Sequence, residues 1–465
     1  MNSTKHPVSS TRSLIRMMEG LLEVFFLTAL YYIFWSNGYD APQFLSMFMG
    51  YGHIILIGIY AVLTLALISA FDGFRFGYLK IADMLLSQWL CMLIVNFITY
   101  WQLCLISNRI LSPAPILWLM AADLGLTFVC VLFYIWIYHK IYAPKKMVMI
   151  LGRRDAISLK FKMETRPDKY HIAKIISADE DFDSICSQLT DYEAVIINDV
   201  PAEIRNAILK FCYEREIRTY VTPKLSDIIV RSATDINLFD TPLLLVKGAG
   251  LTPMQRFCKR LLDLAICLPA MIIAAPIMLV VAIAIKLEDG GPVFFKQARV
   301  TLHGKVFHIL KFRSMIVDAE KAGFAVPATE KDPRITKVGN IIRPCRIDEL
   351  PQLLNIIKGD MSIVGPRPER VEHVEKYSAE IPEFTYRNKV KGGLTGYAQI
   401  YGKYNTSAYD KLRLDLMYIE NYSLIEDIKL ILVTARILFK KESTEGFGAE
   451  QKEQQEQKEP VSSSK

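Results

Sequence analysis

Apolar residues fill the first third of the chain in long runs, not in short periodic patches. Four stretches stand out: Leu21–Trp35, Phe48–Ala70, Ile81–Leu105 and Ile116–Tyr138. Most reach the ~20 residues a helix needs to cross ~30 Å of hydrocarbon. The first is the shortest, and Glu19 and Glu23 stand at its start. No small-residue cleavage site follows it and further runs come after, so it reads as a span and not as a signal peptide. Basic residues are unevenly placed between the runs. Lys5, Arg12 and Arg16 precede the first, while Ser36–Met47 holds no Lys or Arg. Arg75 and Lys80 follow the second, only Arg109 follows the third, and Lys140, Lys145, Lys146, Arg153 and Arg154 follow the fourth. This alternation predicts a four-helix transmembrane region, residues 1–144, with both ends in the cytoplasm. Asp83 and Asp123 lie in or near the third and fourth runs. Such acids serve either interhelical hydrogen bonding or ion transport. With four spans and no apparent inverted repeat, the first reading is preferred.

A fifth apolar run, Leu264–Ile285, carries no charge but is interrupted by Pro269 and Pro276. Pro276 sits mid-run, where a proline removes a hydrogen bond and bends the helix. Lys259 and Arg260 precede the run, and Lys286, Lys296 and Arg299 follow it. A helix over 261–286 that enters and leaves the same leaflet keeps both clusters in the cytoplasm; a kinked ordinary span is the alternative.

Between the two membrane regions the pattern changes period. Met147–Leu151, His171–Ser177, Ala194–Asn198 and Arg218–Val221 read as strands, and Pro201–Arg215 as a helix with proline at its start. Alternating strands and helices over 145–250 predict a small Rossmann-like α/β module. Its first turn, Leu151-Gly152-Arg153-Arg154-Asp155, lacks the glycine spacing that admits a pyrophosphate. A structural or regulatory role is therefore preferred to nucleotide binding. Leu243–Pro253 reads as the linker onward.

Composition narrows the class. The chain has 465 residues, of which 52% are hydrophobic and 22% charged, which excludes a disordered or collagenous chain. Lys and Arg number 55 against 48 Asp and Glu, a net charge of +7. That excess suits anionic lipid headgroups or phosphorylated substrates and does not choose between them. The eight cysteines form no CxxC or Cys/His cluster, which argues against structural zinc and a disulfide framework.

The candidate chemistry lies in residues 251–441. Leu350, Leu353, Leu354 and Ile357 fall on one helical face, with Asp348 and Glu349 at the helix start, a place of positive potential. Arg343, Arg346, Arg367 and Arg370 are close in sequence. Two readings stay open on spacing alone: capping with surface salt bridges, or a phosphate site in which carboxylates hold Mg²⁺ and guanidinium groups grip phosphoryl oxygens. Gly365-Pro366-Arg367-Pro368 favours the second, since an arginine held between prolines loses less entropy on binding an anion.

Four segments taken in order carry a resemblance: Gly291-Pro292-Val293-Phe294-Phe295, Lys311-Phe312-Arg313-Ser314-Met315, Asp348-Glu349-Leu350-Pro351-Gln352-Leu353 and Gly365-Pro366-Arg367-Pro368. Together they resemble the bacterial sugar transferases, monotopic phosphoglycosyl transferases that load a sugar 1-phosphate onto undecaprenyl phosphate. The four spans and the α/β module upstream resemble the long-chain members that initiate exopolysaccharide, capsule or O-antigen synthesis. The resemblance implies an α/β catalytic domain at the cytoplasmic face of the cell membrane, anchored by a re-entrant helix broken at Pro276. Ala275 stands where the family has serine before that proline. It also implies Asp348 as nucleophile, Glu349 as its Mg²⁺-holding partner, and phosphate contacts from Arg343, Arg367, Lys311 and Arg313. The implied partners are a UDP-sugar, undecaprenyl phosphate and the bilayer, with no nucleic acid; a homodimer through the membrane or middle domain is an arrangement it allows. A catalytically degenerate scaffold of polysaccharide assembly is the competing reading. Lys391-Gly392-Gly393-Leu394-Thr395-Gly396-Tyr397-Ala398-Gln399 resembles a further family loop, with Gly392 in place of proline and Tyr397 in place of tryptophan. Ile425–Lys441 reads as an amphipathic helix, for which the membrane interface is preferred to plain core, and 442–465 as a disordered charged tail.

Overall fold

The computed structural model describes residues 9–38, 52–74, 81–141, 145–152, 156–167, 169–246, 248, 250–317, 332–402 and 406–438. The tail 442–465, the loop cations Lys5, Arg75, Lys80, Arg153 and Arg154, and the side chains of Arg12, Arg16, Asp83 and Lys140 lie outside what is described. Two compact units form, Met1–Thr222 and Pro223–Lys465.

The first unit opens with four helices, α1 (Ser9–Gly38), α2 (Gly52–Ala70), α3 (Ile81–Ser107) and α4 (Ala114–Ile141). Each contains a stretch long and apolar enough to cross a membrane. Their outward faces are apolar: Phe25, Val62, Leu105 and Trp118 are exposed. Their inward faces carry Glu23, Thr64, Gln88, Asn96 and Asp123, all buried. This is the reverse of a water-soluble helix and fits a hydrocarbon solvent, in which polar groups must find partners inside. Asp123 accepts from Tyr60 Oη at 3.0 Å and Asn96 Nδ2 at 2.7 Å, and Tyr60 stacks on Tyr31. Gln88 Nε2 bridges Glu23 Oε2 at 3.1 Å and the Gly73 carbonyl at 3.2 Å.

The same unit continues into a four-stranded parallel sheet. Its strands are β1 (Lys145–Leu151), β2 (Tyr170–Ser177), β3 (Ala194–Asn198) and β4 (Arg218–Val221), in spatial order β2-β1-β3-β4. Helices α5 (Ala156–Glu164), α6 (Phe182–Leu189) and α7 (Ala202–Glu214) connect them. Val148, Ile150, Val195 and Ile197 pack on one side, and Met147, Met149, Ala194 and Ile196 on the other. Burial on both faces explains why the central strands β1 and β3 read as unbroken apolar runs without alternation, while the edge strands β2 and β4 stay more exposed. Gly152, just after β1, has no room for a side chain, since a Cβ there would lie 1.9 Å from the Asp199 carbonyl oxygen.

The second unit begins with α8 (Leu225–Arg231), whose Leu225 and Ile228 share a core with Phe307, Ile309, Leu412 and Leu416. An antiparallel hairpin follows, β5 (Thr234–Leu238) and β6 (Thr241–Leu245), with every strand residue exposed. It has no counterpart in the sequence reading, which passes over 234–242 and takes 243–253 as linker. The long helix α9 (Pro253–Asp289) starts at a capping box, Thr252 with Gln255, and ends at Gly290 with φ 71°. Both Pro269 and Pro276 lie inside it. Lys259 and Asp263 on its first turns are buried, tied to Asp427 at 2.6 Å and to the Ser362 hydroxyl at 3.0 Å. Further on, Ile272, Ile273 and Val280 are exposed.

The remainder is α/β. Strands β7 (Phe294–Val300) and β8 (Val306–Phe312) pair antiparallel. Next come α10 (Lys337–Ile342), a 3₁₀ turn over Ile347–Glu349, α11 (Gln352–Lys358), β9 (Ser362–Val364) and α12 (Val371–Glu380). Strand β10 (Gly393–Thr395) pairs in parallel with β9, and α13 (Tyr397–Ile400), α14 (Ala408–Glu420) and α15 (Leu424–Leu438) close the unit.

Candidate functional site

The acids Asp348 and Glu349 sit on the 3₁₀ turn and not in the helix that follows. Pro351 separates the two elements, and α11 begins at Gln352. The buried face of α11 also differs from the apolar spacing. Gln352, Asn355 and Ile356 are buried, whereas Leu354 is exposed. The reason is Asn355. Its amide donates to the His308 carbonyl at 2.9 Å, and its oxygen accepts from the Leu310 amide at 2.9 Å. A polar side chain paired twice with strand backbone takes the inward position that apolar spacing assigns to leucine. This stitch fixes the helix against β8, the strand that carries Lys311.

Lys311 Nζ donates to Glu349 Oε1 at 2.7 Å. Arg367 Nη2 stands 3.7 Å from the same oxygen, and Arg346 Nη1 stands 3.9 Å from Oε2. Arg346 has φ 52°, a left-handed conformation that costs a non-glycine residue about 1–3 kcal/mol. The turn bends there and presents the acids side by side.

Arg367 is held through its backbone. Gly365 before it donates to the Thr395 carbonyl at 2.8 Å, and a Cβ on Gly365 would come within 2.4 Å of the Lys391 carbonyl oxygen. The Arg367 carbonyl accepts from Arg387 Nη2 at 2.9 Å. Arg387 is itself buried and paired with Asp415 at 2.7 Å. The Arg367 side chain remains exposed, so a rigid backbone carries an available guanidinium.

The two adjacent acids are driven apart in proton affinity. Burial pushes the Asp348 carboxyl up to about 6, Glu349 adds to the rise, and Lys311, Arg343 and Arg346 oppose it. Burial acts on Glu349 in the same direction, but Lys311, Arg367 and Arg346 outweigh it and hold that carboxyl down at about 2. Neighbouring carboxyls with separated pKa values are a common mark of divided chemical roles. At neutral pH both are ionised, within the field of four cations.

An open cleft of about 230 Å³ adjoins this group. Cys345, Arg346, Glu349 and Arg367 line it, opposite Thr395, Gln399 and Thr434. The Thr395 and Thr434 hydroxyls meet at 2.6 Å, and Gln399 Oε1 is buried with no partner among the described residues. These three polar groups are absent from the sequence-derived site. Gln399 lies in a quoted motif, but nothing in the spacing shows that its loop folds back over the acids.

Of the expected site residues, Asp348, Glu349, Lys311, Arg343 and Arg367 come together. Arg313 does not join them. It is buried, and its guanidinium makes two hydrogen bonds to the Asp289 carboxylate at the end of α9. Arg370 begins α12 and bridges to Arg299 through the backbone. Pro276 lies within α9 and does not line the cleft.

Among the described residues no group of three or more His, Cys, Asp or Glu side chains could hold a metal alone. Two adjacent carboxylates, of which Glu349 lines the cleft and Asp348 does not, fit an ion such as Mg²⁺, which takes one or two protein carboxylates and completes its shell with substrate phosphate and water.

Residues 254–441 match the bacterial sugar transferase family. An undecaprenyl-phosphate N-acetylgalactosaminephosphotransferase of Aeromonas hydrophila is 42% identical over 201 residues, 43% of this chain and 46% of that protein. A UDP-glucose:undecaprenyl-phosphate glucose-1-phosphate transferase of Escherichia coli is 40% identical over 204 residues, 43% of this chain and 42% of the relative. Another of the same name from Caulobacter vibrioides is 42% identical over 203 residues, 42% of this chain and 75% of that protein. The chain belongs to the bacterial sugar transferase family. The cleft, the acids and all four surrounding cations fall inside the segment shared with this family. The match covers about half the length, or less, of the Aeromonas and Escherichia sugar transferases, and no residue of the first unit falls within 254–441.

Proposed function

We propose that the chain transfers a sugar 1-phosphate from a UDP-sugar to undecaprenyl phosphate. The observation that carries this reading is the divided acid pair, Asp348 near 6 and Glu349 near 2, set among Lys311, Arg343, Arg346 and Arg367 beside an open cleft. Neutral-pH ionisation makes Asp348 available as a nucleophile. The surrounding cations lower the repulsion between its carboxylate and an incoming phosphate.

In the first step an Asp348 carboxylate oxygen bonds to the sugar-side phosphorus. The bond from that phosphorus to the bridging oxygen breaks, and UMP leaves with the electron pair. In the second step a phosphate oxygen of undecaprenyl phosphate attacks the same phosphorus, and the Asp348 carboxylate is released. Undecaprenyl-diphospho-sugar is the product. A two-step displacement of this kind gives ping-pong kinetics. Glu349, fixed by Lys311, orients the turn, and Arg367 and Arg343 bind phosphoryl oxygens. Glu349 and Asp348 would hold Mg²⁺, which supplies charge neutralisation on the phosphates.

The wider arrangement belongs to the same proposal. The four N-terminal helices form a transmembrane bundle, and the parallel sheet is a Rossmann-like module. Helix α9 enters the cytoplasmic leaflet and turns back at Pro276. The catalytic unit faces the cytoplasm, where the product starts an exopolysaccharide, capsule or O-antigen unit. Support comes from the exposed apolar length of α9, from the basic residues at both its ends, and from the names of the relatives.

The test is to incubate detergent-solubilised protein with undecaprenyl phosphate, Mg²⁺ and a panel of UDP-sugars, and to measure UMP. Donor alone should leave a sugar-phosphate adduct on Asp348, seen by mass spectrometry. No turnover with any donor would turn the case towards a degenerate scaffold.

A further inference from the structure

A second cleft, of about 180 Å³, lies in the same unit. Five of its lining residues are cationic: Arg256, Lys259, Arg260, Lys389 and Lys391. Lys259 is neutralised by Asp427 at 2.6 Å. Asp263, the acid in the lining, spends one carboxylate oxygen on the Ser362 hydroxyl and the Ile363 amide, each at 3.0 Å. Arg260 donates to the carbonyls of Ile356 and Ile357, both at 2.6 Å, which closes the end of α11 but adds no negative charge beyond the carbonyl dipoles. Arg256 uses Nε on the Leu251 carbonyl at 2.9 Å. Lys389 lies over the Tyr386 ring.

Lys391 is the informative member. Its ammonium makes no hydrogen bond or ion pair with the described residues, although the side chain is only partly exposed. A Cβ built on Gly359 would be 3.6 Å from both Lys391 Nζ and Arg260 Nη2, so the two cationic heads flank one small space. Burial lowers the Lys391 pKa and the Arg260 charge lowers it further, while the more weakly acting Asp263 and Asp360 oppose the shift without reversing it. Cations gathered without acids of equal number are kept together at a cost that a bound anion removes.

The position of this cleft is set by two elements. Ser362 and Lys391 stand at the start of the parallel strands β9 and β10, whereas Arg367 and Gly396 follow their ends. The cleft therefore opens at the opposite end of the strands from the acid pair. Arg256 and Arg260 lie on the first turns of α9, just before the apolar run that opens at Leu264. Met254, Phe257 and Leu261 on those same turns are exposed. An exposed apolar stripe beside a cationic recess is the pattern of a surface at headgroup depth.

We propose that this recess binds a phosphate group, and specifically the phosphodiester of an anionic membrane lipid, separately from the donor and acceptor phosphates at Asp348. The lipid phosphate lies between Lys391 and Arg256, and its acyl chains follow the exposed face of α9. The site goes beyond the transferase reading, because its occupancy does not depend on turnover.

The experiment is native mass spectrometry of the full chain in detergent, titrated with short-chain phosphatidylglycerol in one arm and inorganic phosphate in the other. Wild type should retain phosphatidylglycerol, and Lys391→Gln and Arg256→Gln should each weaken retention about fivefold, the effect of removing one cation near a lipid surface. Lys391→Arg, which keeps the charge, should bind as wild type does. UMP release in the absence of anionic lipid should be the same for all four proteins, which separates this result from failure at the acid pair. Equal retention by wild type and both neutral variants would overturn the proposal. Inorganic phosphate binding as well as the lipid does, and displacing it, would overturn the lipid assignment. Arg256→Gln is at the exposed start of the helix and serves as the folded control if Lys391→Gln is unstable.

Discussion

Each unit of the molecule holds a pair of acids back from solvent, fully buried in the first and partly buried in the second, and the pairs have opposite company. In the first unit, Glu23 and Asp123 are fully buried among an amide, a second amide and a phenol: Gln88, Asn96 and Tyr60. One oxygen of each, Glu23 Oε1 and Asp123 Oδ1, has no partner among the described residues. In the second unit, Asp348 and Glu349 are ringed by Lys311, Arg343, Arg346 and Arg367, and an open cleft lies beside them. Neutral donors can tie helices together, but they do not fix a charge for use on a substrate. Cations can. The comparison separates acids placed to specify packing from acids placed for the proposed chemistry, although each pair is two carboxylates withdrawn from solvent.

The largest expected effect breaks the second pair at its centre. Asp348→Asn should reduce UMP release by at least about 10³-fold, as loss of a covalent nucleophile does, with little change in thermal midpoint. Next is Lys311→Met, which removes the direct partner of Glu349. Rate should fall about 10²-fold, the scale of one lost electrostatic contact in a site of this kind. The same variant sharpens the charge argument. In the proposed reaction Asp348 attacks as a carboxylate, and its carboxyl is pushed up to about 6, so wild-type rate should climb as pH rises through about 6 and then level. Lys311 holds that carboxyl down, so the rising limb should move to higher pH in Lys311→Met; an unmoved limb would separate it from Asp348. The smallest effect belongs to the first pair. Tyr60→Phe should cost about 1 kcal/mol of stability through one lost hydrogen bond, read from the thermal midpoint, and leave UMP release within about twofold. A large loss of rate there would bring the membrane acids into the chemistry and erase the contrast.

Much of this arrangement is legible in the chain. The apolar runs anticipate the helices, because in hydrocarbon a span needs length and little else. The central strands β1 and β3 of the middle sheet are legible because burial on both faces leaves them bounded apolar segments. The acid pair and Arg367 stand out because prolines, glycines and charges crowd into short motifs. Arg313 misleads because a cation beside a motif carries no sign of its partner. Asp289, 24 positions earlier in sequence, claims it through a turn that spacing does not reveal. Leu354 misleads for a related reason, since the double pairing of Asn355 with β8 sets which face turns inward. The cleft residues Thr395, Gln399 and Thr434 were hidden because they meet only after β10 pairs with β9 and α15 folds across it.

Cys345 sits on the rim of that cleft, three positions before Asp348, and it alone of the eight thiols is exposed; six are buried and Cys258 is intermediate. The native chain therefore offers a position-selective attachment point for an environment-sensitive dye, with no engineered residue and no removal of competing sites. Fluorescence from a probe at that thiol would follow filling of the cleft in real time, three residues away from the proposed nucleophile.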